Sequence, residues 1–148
     1  MKRNILLDSN ILMIAISDKK SNERKQLINL LKDENINVFV TPLIRYEILR
    51  GVTWNDNEAF KNHSEALKQL ETINIDQKIS DTATLLFRLE REIRQQNGQT
   101  PKKIDKHNFD VMHFATAKVY QLEWLSNDKD MQSWEELYQQ LKTAQETQ

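Results

Sequence analysis

Four short apolar runs recur along this chain, at Ile5-Leu6-Leu7, Val38-Phe39-Val40, Ile73-Asn74-Ile75 and Trp124-Leu125, with helical patterns between them. Runs of this length, partly β-branched or aromatic, read as buried strands. Strands separated by helices cannot pair as hairpins. They pair in parallel, because a parallel neighbour needs a long crossover, and the crossover helices cover both faces of the sheet. Only two glycines and two prolines punctuate the sequence, so the remainder is expected to be mostly helical.

The helix boundaries carry recognisable chemistry. Ser9 or Asn10 opens a helix through Ile16, and residues 21–33 repeat apolar side chains at Leu27, Leu30 and Leu31. Thr41-Pro42 is an N-cap followed by proline at the first helical position, and Gly51 closes that helix. Helices are further expected over residues 57–70, 77–96 (ended by Asn97-Gly98), 108–121 and 133–141. The polar stretch 142–148 is expected to fray. At 148 residues the chain suits one domain, over 1–148, with a substantial core.

Charge and cysteine content narrow the function. The net charge of -1 gives no basic field for nucleic acid, so such a partner must be held by a local patch or through metal. The lack of cysteine removes disulfides, thiolate zinc sites and cysteine nucleophiles together, and suits a reducing, cytoplasmic setting. Asp8, Ser9 and Asn10 interrupt the N-terminal apolar segment, unlike a signal peptide, and no run approaches the roughly 18 apolar residues of a membrane span.

Most of the 22 acidic residues lie on solvated helix faces such as Leu89-Glu90-Arg91-Glu92. Four do not. Asp8 follows the first strand, where Ser9 and Asn10 would serve equally well as helix caps. Glu47 borders the stripe of Leu43, Ile44 and Ile48, where an ion pair with Arg45 or Arg50 would also account for it. Asp110 lies in what reads as the first turn of a helix, a place the helix dipole explains, but among Phe109, Val111 and Phe114. Asp128 follows the last strand, as an ordinary turn aspartate would. Together they have a stronger reading. The carboxyl ends of parallel strands form a crevice, and Asp8 and Asp128 stand at such ends. Helices bearing Glu47 and Asp110 can open onto the same edge. Two charges about 4 Å apart repel by about 4 kcal/mol at an effective dielectric near 20, so four such acids make sense around a divalent cation. All-oxygen ligands favour Mg²⁺ or Mn²⁺.

The blocks ILLDSNILM, TPLIRYEILRGV, NFDVMHFATA and LSNDKDM, in this order, resemble the PIN-domain family and, within it, the VapC-like toxin ribonucleases. The resemblance runs from Asn4 to about Met131. It implies a three-layer α/β/α sandwich on a short central parallel sheet, frequent homodimers and an antitoxin encoded alongside. It places Asp8, Glu47, Asp110 and Asp128 as the catalytic, metal-binding acids, with Asn10, Ser126 (for the usual Thr) and Asp130 in support. It implies hydrolysis of RNA phosphodiester bonds with Mg²⁺ or Mn²⁺. His113 stands where many relatives carry an aliphatic residue, the segment after Asp130 reads as helix rather than a final strand, and residues 54–72 have no evident family counterpart.

RNA contact is expected from Arg45 and Arg50 beside Glu47 and from Lys102, Lys103 and Lys106, with Arg88, Arg91 and Arg94 on the long helix as further cations. His113 is read as a packed histidine, and His63 and His107 have no evident partners. A haloacid dehalogenase-type phosphatase also begins with a strand ending in Asp, but it needs a second Asp where this chain has Asn10. An RNA-processing nuclease of the same chemistry and a catalytically inactive interaction module are the other readings.

Overall fold

Among the described residues of a computed structural model, the apolar runs and capping signals become four strands and seven helices. It describes residues 2–100, 104–127 and 130–147, the side chains of 104–106 excepted. In chain order the elements are β1 (Arg3–Leu7), α1 (Ser9–Ser17), α2 (Asn22–Lys32), β2 (Ile36–Val40), α3 (Pro42–Leu49), α4 (Asn57–Leu67), β3 (Glu71–Thr72), α5 (Gln77–Gln96), α6 (Ile104–Val119), β4 (Glu123–Leu125) and α7 (Met131–Glu146). They form two compact units, Met1–Ile75 with Gln121–Asn127, and Asp76–Tyr120 with Asp128–Gln148. Among the described residues no helix is long and apolar enough to cross a membrane.

The first unit holds the whole sheet. Its strands are parallel in the order β3-β2-β1-β4, which is the helix-rich α/β class that the alternation of runs demands. In central β1, Ile5, Leu6 and Leu7 are fully buried. Its register sets Asn4 beside Asn37, where the two amides bond at 3.0 Å, and Leu7 beside Leu125. Helix α1 packs against α2, α3 and α4, and α2 against β2. A helix end leaves carbonyls without helical partners. At the end of α1, Arg24 donates to the carbonyls of Ala15 (2.5 Å) and Ile16 (3.2 Å).

In the second unit α5 packs against α6 and α7. Phe114 stacks on Trp134 with centroids 5.7 Å apart. His107 stacks on the same indole at 5.0 Å and places Nε2 2.7 Å from Glu90 Oε1, so this histidine has partners the sequence did not reveal. His63 likewise has them, with Nδ1 2.7 Å from the carbonyl of Ala59.

Several boundaries differ from expectation for physical reasons. The third strand is Glu71–Thr72, not Ile73–Ile75. It lies at the sheet edge, where Phe39 and Val40 are its register partners, and Ile73 N only extends the pairing to the carbonyl of Val40 at 2.9 Å. Helix α4 ends at Leu67, three residues before Leu70. Helix α6 begins at Ile104, before Asn108. Helix α7 continues to Glu146, so residues 142–146 are helical and not frayed. Nothing in that stretch breaks a helix, Leu141 is buried, and Lys142 Nζ lies 5.1 Å from the Tyr138 ring centroid.

One contact ties the start of α5 to the residue after α6. Asp76 caps α5 by accepting from Ile79 N at 3.0 Å, and also accepts from the Tyr120 hydroxyl. That hydroxyl bond is the main reason the Asp76 carboxyl is held below its ordinary value of 3.8 and the Tyr120 hydroxyl above its ordinary 10.0. A lowered acid stabilises the fold above its unfolded pKa, and the gain is lost as pH falls through the folded value. A raised phenol stabilises below its unfolded pKa, and the gain is lost as pH rises through the folded value. Tyr120→Phe is therefore expected to lower the urea midpoint most between pH 3.8 and 10.0. The difference from the unsubstituted protein should shrink on both sides of that window, as measured by urea titrations across pH.

Candidate active site

Parallel order fixes where polar groups emerge from the first unit. The chain steps outward from β1 to β2 and β3, then returns to the opposite side of β1 as β4. The reversal of direction opens a crevice at the carboxyl ends of β1 and β4, where ligands of open α/β sheets bind. Asp8 follows β1 and Ser126 follows β4. With Leu7 and Leu125 in register and Asp8 N donating to the carbonyl of Leu125 at 2.9 Å, the two residues leave the sheet side by side. Ser126 Oγ donates to Asp8 Oδ2 at 2.9 Å.

Asp8 occupies the N-cap position of α1, yet its side chain makes no capping hydrogen bond, although helix capping would have been a sufficient reason for an acid there. Instead the carboxylate, in a residue only 4% exposed, takes the hydroxyl of Ser126. Burying a carboxylate costs free energy unless charge or hydrogen bonds offset it. Capping therefore does not account for this acid at this position.

Glu47 reaches the same place by a different route. Thr41, at the carboxyl end of β2, caps α3 by accepting from Ile44 N at 3.1 Å, and Pro42 fixes the first helical residue. Ile44 and Ile48 bury one side of α3, leaving Glu47 half-buried at its border. There Glu47 Oε2 accepts from Ser9 Oγ at 3.3 Å. Ser9 directly follows Asp8, so two consecutive residues connect to both flanking elements. Ser9 read from sequence only as a possible helix cap. Its contact with Glu47 spans a sequence separation of 38, and no local spacing signals it.

Asn10 is exposed on the first turn of α1. Asp110 belongs to the second unit and is half-buried on α6. Because α6 begins at Ile104, Asp110 sits well beyond the first turn, where the helix dipole has faded. The dipole explanation for this acid therefore falls away. His113, on the same helix, is fully buried with its ring stacked 6.5 Å from that of Phe109, as a packed histidine. Asp130 is exposed at the N-cap of α7 and makes no capping bond. Asp128, Lys102 and Lys103 lie outside the described residues, as does the side chain of Lys106. Of the expected RNA contacts, Arg45 is half-buried, and Arg50 is exposed with its guanidinium 5.3 Å from the centroid of the Tyr46 ring.

Among the described residues no three His, Asp or Glu side chains are grouped closely enough to hold a metal. The first unit supplies two carboxylates, Asp8 and Glu47, each with a serine hydroxyl attached. This donor set is all oxygen, and one carboxylate is buried and oriented, which fits a hard divalent cation. Loss of the Ser126 hydroxyl leaves a buried carboxylate short of a donor. Ser126→Ala is expected to cost about 1–3 kcal/mol of unfolding free energy, while Ser126→Thr retains most of it. Equilibrium denaturation of both variants in EDTA measures this.

The PIN domain family model matches residues 5–137, a span that runs through both units. No curated protein matches the chain. Among solved structures the chain is similar to VapBC2 from Rickettsia felis bound to a DNA fragment from its promoter. That match has 20% identity and a TM-score of 0.68, and covers 88% of this chain and 92% of the other. It is also similar to DNA-bound VapBC from Salmonella typhimurium, at 14% identity and TM-score 0.59, covering 82% and 83%. A third is VapC20 from Mycobacterium tuberculosis, a sarcin-ricin loop cleaving toxin, at 11% identity and TM-score 0.55, covering 87% and 93%. At such identities the likeness is one of fold.

Proposed function

The chain belongs to the PIN domain family, and from that premise we propose that it is a metal-dependent endoribonuclease, the toxin of a toxin–antitoxin pair. One observation carries the chemistry. The buried Asp8 carboxylate stands at the switch point of the sheet, fixed by Ser126 and next to the Ser9–Glu47 pair. Nucleases of this family generally use a divalent metal, and a buried, oriented acid in an all-oxygen setting supports that use here.

Asp8 and Glu47 are the proposed ligands of a Mg²⁺ or Mn²⁺ ion, with Asp110 and Asp128 completing the set and Asn10, Ser126 and Asp130 in support. Bound there, such an ion would supply Lewis acidity for activating water and polarising a phosphate oxygen. The protein's own part is positional. Ser126 donates to one Asp8 oxygen and so orients the carboxylate, and Ser9 donates to Glu47. Rigid β1 beneath Asp8 keeps that geometry within the narrow tolerance such a site needs.

The toxin role is supported by structural relatives that are themselves toxin–antitoxin complexes. On that reading the partners are RNA as substrate, a cognate antitoxin and a second copy of the chain, in the cytoplasm. The family match spans both units, which supports one domain over 1–148.

The test is incubation with total cellular RNA in Mg²⁺ or Mn²⁺, against EDTA. Cleavage is expected only with metal. Asp8→Asn and Asp110→Asn are each expected to reduce it at least about a hundredfold while the circular dichroism spectrum is unchanged. Full cleavage by either variant would remove that residue from the site. An unaffected growth rate when the chain is expressed alone would count against the toxin role.

A further inference from the structure

The residues that follow Glu47 in the chain carry an unusual surface. Trp54 is 94% exposed, whereas Trp124 and Trp134 are buried. Trp54 lines a cavity of about 630 Å³ with Arg50, Thr53, Asn55, Asn57 and Phe60. Phe60 and Tyr46 are themselves half exposed, and the Arg50 guanidinium lies over the Tyr46 ring. Arg50 follows Glu47 by three residues, at the C-cap of α3, so one edge of the cavity lies about a turn along the chain from the proposed acid site. Among the described residues no carboxylate lines it. Asp56 lies nearby in sequence, but its side chain caps α4 by accepting from Ala59 N at 3.0 Å.

We propose that Trp54, Phe60 and Arg50 form a stacking subsite for an unpaired base of single-stranded RNA next to the scissile bond. An exposed aromatic face, a guanidinium and amide side chains are the groups that single-stranded RNA requires. Bases stack on the ring, the cation meets phosphate or the base face, and the amides of Asn55 and Asn57 match the base edges. The lining has cationic and no anionic character, which suits a phosphate-bearing strand, and the exposed faces of Trp54 and Phe60 suit stacked bases rather than acidic side chains. A base held here anchors the strand beside Glu47, which gives a chain of net charge -1 a grip on RNA that does not depend on a basic field. The inference rests on the nuclease reading above but concerns binding, so the two are separable.

The test uses the full chain in EDTA, with a single-stranded oligouridylate and a duplex RNA of the same length as probes. Trp54 is the exposed indole, so tryptophan fluorescence is expected to be quenched by the single strand and not by the duplex. Trp54→Ala is expected to abolish the quenching and weaken binding roughly tenfold or more, with Trp54→Phe retaining most of the affinity. In metal, Trp54→Ala is expected to raise KM with little change in kcat. Binding and KM unchanged in Trp54→Ala, in a protein that still cleaves RNA, overturn the subsite and leave the nuclease standing. Quenching and Trp54-dependent binding without any cleavage leave the subsite standing and overturn the nuclease. If Trp54→Ala instead turns a dimer into a monomer, or abolishes only the binding of the antitoxin, the patch is a protein interface and the proposal fails.

Discussion

Strand β1 is paired in parallel on both sides, with β2 along one edge and β4 along the other. Parallel pairing has a consequence that antiparallel pairing lacks, since every strand then delivers its following residue to the same edge. Asp8, Thr41 and Ser126 all follow strands in this way. One becomes a buried carboxylate, one caps the helix that carries Glu47, and one donates to the carboxylate. The register brings Ser126 to Asp8 without further adjustment, which offsets part of the cost of burying the carboxylate. Shifting β4 by one residue would turn the hydroxyl to the opposite face and leave the acid without that donor.

Boundary signals with a local cause were readable in the sequence. Thr41-Pro42 starts α3, and Asn97 ends α5 with the left-handed Gly98 following at φ 67°. Signals that depend on tertiary partners were not. The Ile73-Asn74-Ile75 run has the pattern of a strand, but β2 ends at Val40, so register partners reach only Glu71 and Thr72 and a single bond reaches Ile73. Helix α6 starts earlier than its apolar pattern indicates, and His107 on that early turn is held by Glu90 and Trp134, contacts that only packing creates.

The candidate site divides along the same line. An acid after each terminal strand, and one on a helix flanked by isoleucines, stand out because carboxylates are costly in apolar company. That argument finds Asp8 and Glu47 without structure. It does not find Ser9, whose hydroxyl contacts Glu47 rather than capping its own helix. For Asp110 the helix dipole explains a first-turn position, and that part of the account goes once α6 begins at Ile104, while the apolar company that marks this acid in the sequence remains. The exposed Trp54, in turn, carried no periodic signal at all, because loop aromatics belong to no hydrophobic stripe.

The pairing of β1 with β4 also sets an order in time. The Asp8–Ser126 bond joins residues with a separation of 118, and contacts of such long range form late because the intervening loop must close first. During synthesis β1 and β2 leave the ribosome early and can pair, while the hydroxyl that orients Asp8 is translated long afterwards. A nascent chain therefore carries the first acid without its donor. The Ser126-oriented carboxylate exists only once Ser126 has been made, so translation products that stop before it lack this arrangement.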